Sequence, residues 1–422
     1  MAHASGRREP ARTRRRILFF GEPATLAHVA RPSVLASSLD PEVYAVAFVT
    51  GADYASIPAE VGLIVREIEC IGSAAYLRAV ASGRPVFPLD VLERYVQDDL
   101  REIERFAPDL VVGDFRLSLA VSARLAGVPY VAISNAYWSP HVRVAFDVPV
   151  HPVTRLLGPA TVNPLFRLLC PAILAFHALP MHRLRKRYGL PSLGFDLRRI
   201  FSEGDVTLLA DVPELVPFAE HGESARYVYI GPIVWSPLAP LPAELLHLNE
   251  PKDLVYIAMG SSGDPRVLAD LVEGALSTGC RVAVATSGVD LPASPRLVTA
   301  RFLPGNEVSA LASLVVCNGG SPSTHQALRA GKPVLGIPSN LDQLLNMQFV
   351  TASGAGAQLR ADRVSQRRAG DLVSAMLGER SFTQRAQEVA ASFQAYSSVD
   401  RFKTVIQSLL AEGADTAPRS GV

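Results

Sequence analysis

The 422-residue chain carries 41 Lys+Arg against 40 Asp+Glu, a formal charge of +1, and 49% of its residues are hydrophobic. That balance leaves no electrostatic footprint for a nucleic acid, while the length and apolar content suffice for two cores. Cys70, Cys170, Cys280 and Cys317 stand far apart with no CxxC spacing, which argues against a zinc site or a disulfide framework and fits a reducing, cytoplasmic setting.

In chain order, residues 1–15 read as a disordered basic tail, with Arg7, Arg8, Arg12, Arg14, Arg15 and Arg16 ahead of an apolar run too short for a secretory signal. Apolar runs of strand length follow at 17–20, 45–49, 110–113 and 130–133, separated by helical patterns such as 29–39 and 117–126. Residues 168–181 are apolar but interrupted by Pro171, His177 and Pro180. This predicts a buried helical region beside a pocket, too short to span a bilayer. The cations that follow, Arg183, Arg185, Lys186 and Arg187, leave a peripheral membrane contact as the second reading.

After Ile230-Gly231-Pro232 come Pro237, Pro240 and Pro242, which mark residues 233–252 as a stiff linker. Strand-like runs resume at 254–259, 281–286, 314–317 and 333–337. A final helical stripe holds Val399, Phe402, Val405, Ile406, Leu409 and Leu410, and the chain beyond Gly413 reads as loose. Strands alternating with helices in two series predict an α/β architecture of two Rossmann-like domains with parallel sheets. The boundaries are 16–232 for the first domain, 253–395 for the second, a helix at 396–412 and a tail at 413–422.

Chemistry concentrates after the run at 314–317, where Asn318-Gly319-Gly320-Ser321-Pro322-Ser323 turns directly into a helix. Glycines allow a close backbone approach, Ser321 suits the cap and Pro322 the first helical position. The free N–H groups of that helix end then favour an anion such as a diphosphate. In the first half, His28 follows the first strand and Asp114 ends the third. Both positions lie at carboxyl ends of parallel strands, where such sheets bind ligands, and an imidazole backed by a carboxylate is suited to taking a proton from a hydroxyl at neutral pH.

The segment from Asn318 to Leu328, followed by Gly331-Lys332-Pro333 and by Asp342-Gln343 with Asn346, resembles the donor signature of the UDP-glycosyltransferase and macrolide glycosyltransferase superfamily of GT-B fold, HGGxGTxxEAL and then GxPxxxxPxxxDQxxNA. Asn318 stands where the family has His, Pro322 where it has Gly, and Gln326 where it has the Glu that binds ribose. The resemblance implies two Rossmann-like domains facing across a cleft, with the donor held by Gly260, Ser261, Ser262, Leu303, Asn318, Gly319, Gly320, Ser321, Ser323, Gln326, Asp342 and Gln343. In it His28 matches the general base and Asp114 the acid that orients it. Phe115, Tyr137 and Trp138 are the candidate contacts to a hydrophobic acceptor.

The expected reaction is an inverting transfer of a sugar from a UDP- or dTDP-activated donor to a hydroxyl of a small hydrophobic acceptor, a specialised metabolite. No metal is expected to be obligatory, since no DxD pair occurs near a strand end and His141, His151, His177, His182, His221 and His247 share no spacing. Two other readings keep the fold: a non-catalytic partner of another transferase, and a nucleotide-sugar 2-epimerase.

Overall fold

A computed structural model describes residues 14–219, 225–246 and 254–416. His221 and His247 lie outside these residues, as do most of the basic tail, part of the proline-rich linker and the end of the C-terminal tail.

Two all-parallel sheets organise the chain. The first contains β1 (Arg15–Gly21), β2 (Tyr44–Thr50), β3 (Val65–Glu67), β4 (Leu110–Asp114), β5 (Tyr130–Ser134), β6 (Val206–Leu209) and β7 (Tyr227–Tyr229), in the order β3-β2-β1-β4-β5-β6-β7. The second contains β8 (Leu254–Ala258), β9 (Arg281–Ala285), β10 (Leu297–Ala300), β11 (Leu314–Cys317), β12 (Val334–Gly336) and β13 (Gly356–Gln358), in the order β10-β9-β8-β11-β12-β13. The expected α/β class with two Rossmann-like sheets is therefore borne out. β1 begins at Arg15, inside the stretch expected to be tail, because its backbone pairs with Tyr44 of β2.

Strand burial follows the period of two. In β1, Ile17 and Phe19 enter one apolar cluster while Leu18 and Phe20 enter the cluster on the opposite face. All four are fully buried, as expected of a parallel strand covered on both sides. β8 divides likewise, Leu254 and Tyr256 to one face and Val255 and Ile257 to the other.

The C-terminal helix Ser398–Thr416 returns to the first sheet. Phe402, Ile406 and Leu410, at helical spacing, pack with Ile17, Phe19 and Val29; the rings of Phe19 and Phe402 lie 6.0 Å apart.

The apolar segment at 168–181 is not the short buried region expected from its prolines. It forms the middle of one helix, Pro159–Arg187, of 29 residues, with Pro164, Pro171 and Pro180 inside it. Proline removes a helical hydrogen bond and crowds the preceding turn, but Pro164 and Pro171 are exposed, so water can reach the carbonyls that lose a partner. This helix is long and apolar enough to cross a membrane. In the fold, however, Cys170, Leu174, Ala178, Met181 and Leu184 pack one face of it against Phe87, Val91, Leu92 and Tyr95, while most of the opposite face is exposed.

Candidate functional site

The strand order places the site. In each sheet, connections from the two central neighbours leave in opposite directions, which opens a crevice at their carboxyl ends. In the first sheet these neighbours are β1 and β4, with Gly21 in register with Asp114. In the second they are β8 and β11, with Ala258 in register with Cys317. One cavity is lined from both, by Thr25, His28, Arg31, Asp114 and Phe115 on one side and by Gly260, Ser262, Asn318, Gly320, Ser321, Ser323 and Asp342 on the other.

The helix Ala27–Ser37 begins directly over the end of β1: a Cβ on Gly21 would lie 3.0 Å from the carbonyl of His28. His28 thus sits in the first turn, and its Nδ1 lies 2.8 Å from Oδ1 of Asp114, a fully buried carboxylate. One turn later, Arg31 donates to both oxygens of Asp114, from Nε at 2.8 Å and Nη2 at 2.9 Å. The same Nη2 lies 3.2 Å from His28 Nδ1. Donation from Nδ1–H to Asp114 leaves Nε2 bare as the proton acceptor. Arg31 balances the charge of the carboxylate, so the dyad is a triad of imidazole, carboxylate and guanidinium.

Phe115 follows Asp114 with φ +59°, a left-handed conformation that bulky residues rarely adopt. It carries the ring back over His28, with centroids 4.5 Å apart and planes within 13°. Phe201 meets Phe115 at 5.2 Å and Trp138 at 4.9 Å, edge to face in both cases. With Tyr76, these rings give the cavity an aromatic wall beside His28.

On the opposite side Gly319 has φ +81°, and a Cβ there would lie 2.7 Å from Met347 Cγ. The helix Ser321–Arg329 takes Gly320 as its cap, one residue earlier than expected, so Pro322 is the second helical residue rather than the first. The cause is local: Asn318 Oδ1 accepts from Gly320 N at 2.9 Å and closes the turn. Ser321, relieved of capping, donates across the cleft to Asn135 Oδ1 at 3.2 Å.

Of the remaining expected donor residues, Ser261 lines the cavity. Four side chains or positions stand back from it. Gln343 is buried and completes a capping box with Asn340, its Oε1 accepting from Ser339 N and its Nε2 reaching the Ser262 carbonyl. Gln326 donates to the backbone carbonyl of Trp235. Leu303 packs in the core with Ala327 and Leu328, and Gly319 supports the turn from behind. Tyr137, expected at the acceptor, is fully buried. It donates to Asp342 Oδ1 at 3.2 Å, alongside Trp138 Nε1 at 2.8 Å.

A buried polar chain joins the halves. Asn135 Oδ1 also accepts from Arg31 Nη1 at 2.6 Å, and Asn135 Nδ2 donates to Asp211. Asp211 Oδ1 lies 3.2 Å from His325 Nε2, on the helix that begins at Ser321. Arg31, Asn135, Phe201 and Asp211 were not singled out from sequence; the i, i+3 spacing of His28 and Arg31 is the one local signal that could have found any of them.

Comparison with known proteins agrees with this architecture. Residues 281–407 match the family model of the erythromycin biosynthesis protein CIII-like C-terminal domain. Over 389 residues the chain is 43% identical to a PGL/p-HBAD biosynthesis glycosyltransferase of Mycobacterium tuberculosis, covering 91% of this chain and 90% of that protein. It is 42% identical over 385 residues to a PGL/p-HBAD biosynthesis rhamnosyltransferase of Mycobacterium bovis, covering 91% and 85%. Among solved structures, the spinosyn rhamnosyltransferase SpnG complexed with thymidine diphosphate superimposes with a TM-score of 0.65 at 18% identity, covering 92% of this chain and 99% of that one.

Proposed function

Since the chain belongs to the glycosyltransferase family that contains the PGL/p-HBAD biosynthesis enzymes, we propose that it transfers a sugar, with inversion, from a thymidine or uridine diphosphate donor to a hydroxyl of a hydrophobic acceptor in the cleft between its two sheets. The observation that carries this reading is the placement of His28, held 2.8 Å from Asp114, across one cavity from the N-terminus of the helix Ser321–Arg329.

His28 Nε2 removes the acceptor proton as the oxygen attacks the anomeric carbon, and Asp114 stabilises the imidazolium that forms. The nucleotide diphosphate departs toward Gly320, Ser321 and Ser323, where backbone N–H groups and the helix terminus meet the developing negative charge. Asp342, fixed by Trp138 and Tyr137, is placed to accept from a sugar hydroxyl. The wall of Phe115, Trp138 and Phe201 suits an apolar or aromatic acceptor.

Thymidine is the favoured nucleoside. Gln326 replaces the family's ribose-binding Glu, and its amide is engaged by the Trp235 carbonyl; the loss matters least for a deoxyribose, which has no 2′-hydroxyl. The relative named as a rhamnosyltransferase supports a rhamnosyl donor.

Thermal unfolding with dTDP, UDP, GDP, ADP and their sugars tests the donor half, because a ligand that binds only the native state raises its stability. A shift with dTDP larger than with UDP is expected. No shift with any nucleotide would overturn the reading in favour of a non-catalytic partner.

A further inference from the structure

The helix Pro159–Arg187 has its amphipathic faces in an unusual sense. Its inner face is satisfied by the protein core, through Leu174, Met181 and Leu184 among others. The outer face of a helix on a globular domain is ordinarily polar. Here Leu165, Leu168, Ala172 and Phe176 recur on it at helical spacing and are exposed, with Leu168 at 76% and Phe176 at 51%. Two neighbouring segments add exposed apolar residues, Leu156 at 84% on the adjoining short helix Pro152–Leu157 and Phe195 at 48%. Scattered single apolar residues need no explanation, but a contiguous patch marks an interaction surface.

Charge identifies the partner. Between Asp147 and Asp196 the chain contains no acidic residue. Arg167, Arg187 and Arg155 are met from elsewhere, by Asp147, Glu93 and Asp264. Arg183 and Lys186 are exposed, at the end of the helix that follows Phe176, and no ion pair engages either among the described residues. Leucine and phenylalanine on one helix face, with these two cations at its end and no acid in the helix itself, fit a surface that is apolar at depth and negative at its rim. That is the interface of an anionic bilayer. A second copy of the chain would bring the same cations face to face.

We propose that the helix Pro159–Arg187 is an in-plane membrane anchor: it lies on an anionic lipid surface through Leu165, Leu168 and Phe176, with Arg183 and Lys186 on the headgroups. The inner face of the same helix packs in the cluster that contains Phe115 and Phe201. The anchor therefore lies one layer from the aromatic wall of the cavity and brings that wall close to molecules dissolved in the bilayer. This proposal is independent of the transfer reaction.

The test is flotation of the full chain with vesicles of phosphatidylcholine alone or mixed with phosphatidylglycerol, at low and high salt. Wild type should float with the anionic vesicles and be partly released by salt. The double variant Leu168→Gln/Phe176→Gln should lose about tenfold in partitioning, and Arg183→Gln/Lys186→Gln should lose the preference for phosphatidylglycerol. Both variants alter exposed side chains outside the cavity, so unchanged melting temperatures verify that they fold. Wild type left in solution with both vesicles at low salt would overturn the proposal. So would either variant floating as wild type does, or a sedimentation-velocity dimer abolished by Leu168→Gln/Phe176→Gln with no vesicle binding.

Discussion

The hydroxyl of Ser321 donates to Oδ1 of Asn135, the same atom that Arg31 reaches at 2.6 Å. One oxygen thereby joins the start of the helix Ser321–Arg329 to the guanidinium that clamps Asp114. Asn135→Ala should weaken both halves at once, raising the donor KM and lowering kcat, because Arg31 and Ser321 lose a buried acceptor worth about 1–3 kcal/mol. Steady-state kinetics with varied donor checks this. A change confined to melting temperature would reduce the residue to a packing role.

His28→Ala should lower kcat by about two to four orders of magnitude while leaving the nucleotide-induced thermal shift intact. The shift is the control that separates lost chemistry from lost binding. Full activity in the variant would remove His28 from the mechanism.

Arg31→Met removes both hydrogen bonds that Arg31 makes to Asp114. Breaking a buried pair by deleting one partner costs about 3–5 kcal/mol, so urea unfolding should show a loss of that order. Arg31→Lys keeps the charge without the two-pronged geometry and should recover stability better than activity.

Gly319→Ala meets both a left-handed backbone and Met347 Cγ at 2.7 Å. A loss of about 1–3 kcal/mol is expected, together with a weakened or absent shift on adding nucleotide, since the same turn aims the helix end at the proposed diphosphate site. Gly83→Ala, also left-handed but with open space around its Cβ position, should leave nucleotide binding unchanged.

Asp211 governs a pH dependence. Burial by itself would raise its carboxyl pKa, but His325, the backbone N–H of Ala136 and the Asn135 amide hold it below the ordinary value. A depressed carboxyl pKa contributes stability above the unfolded value of about 3.9, and the contribution is lost as pH falls through the lower folded value. Asp211→Asn should therefore be less stable than wild type at neutral pH, with the gap narrowing in acid. Denaturant unfolding from pH 7 downward measures it; a constant gap would exclude the linkage.

Much of the fold was legible because each central strand is a continuous apolar run. Residues 17–20 and 314–317 could hardly be anything else once glycine turns and helical patterns followed them. β3, β6, β7, β10 and β13 escaped notice; β3, β7, β10 and β13 are edge strands whose partly exposed residues lack a strong apolar pattern, whereas β6 is mostly buried but only four residues long, with Thr207 inside its apolar run. The positions of His28 and Asp114 were readable because strand ends and a family motif coincide there. Arg31 and Asn135 were not, since their roles depend on how a helix on β1 meets the end of β5, a contact more than a hundred residues apart in sequence. Gln343 shows the converse: the motif was visible, but a capping box claims its amide in this structure.

The return of the helix Ser398–Thr416 to the first sheet also has a bearing on biosynthesis. A ribosome completes β1 through β7 long before it makes Phe402, Ile406 and Leu410, which close the apolar face over Ile17 and Phe19. Until those last turns emerge, the N-terminal half carries an uncovered hydrophobic surface exposed to chaperones. Truncated chains ending before residue 398 should consequently aggregate, even though every strand of both sheets has already been translated.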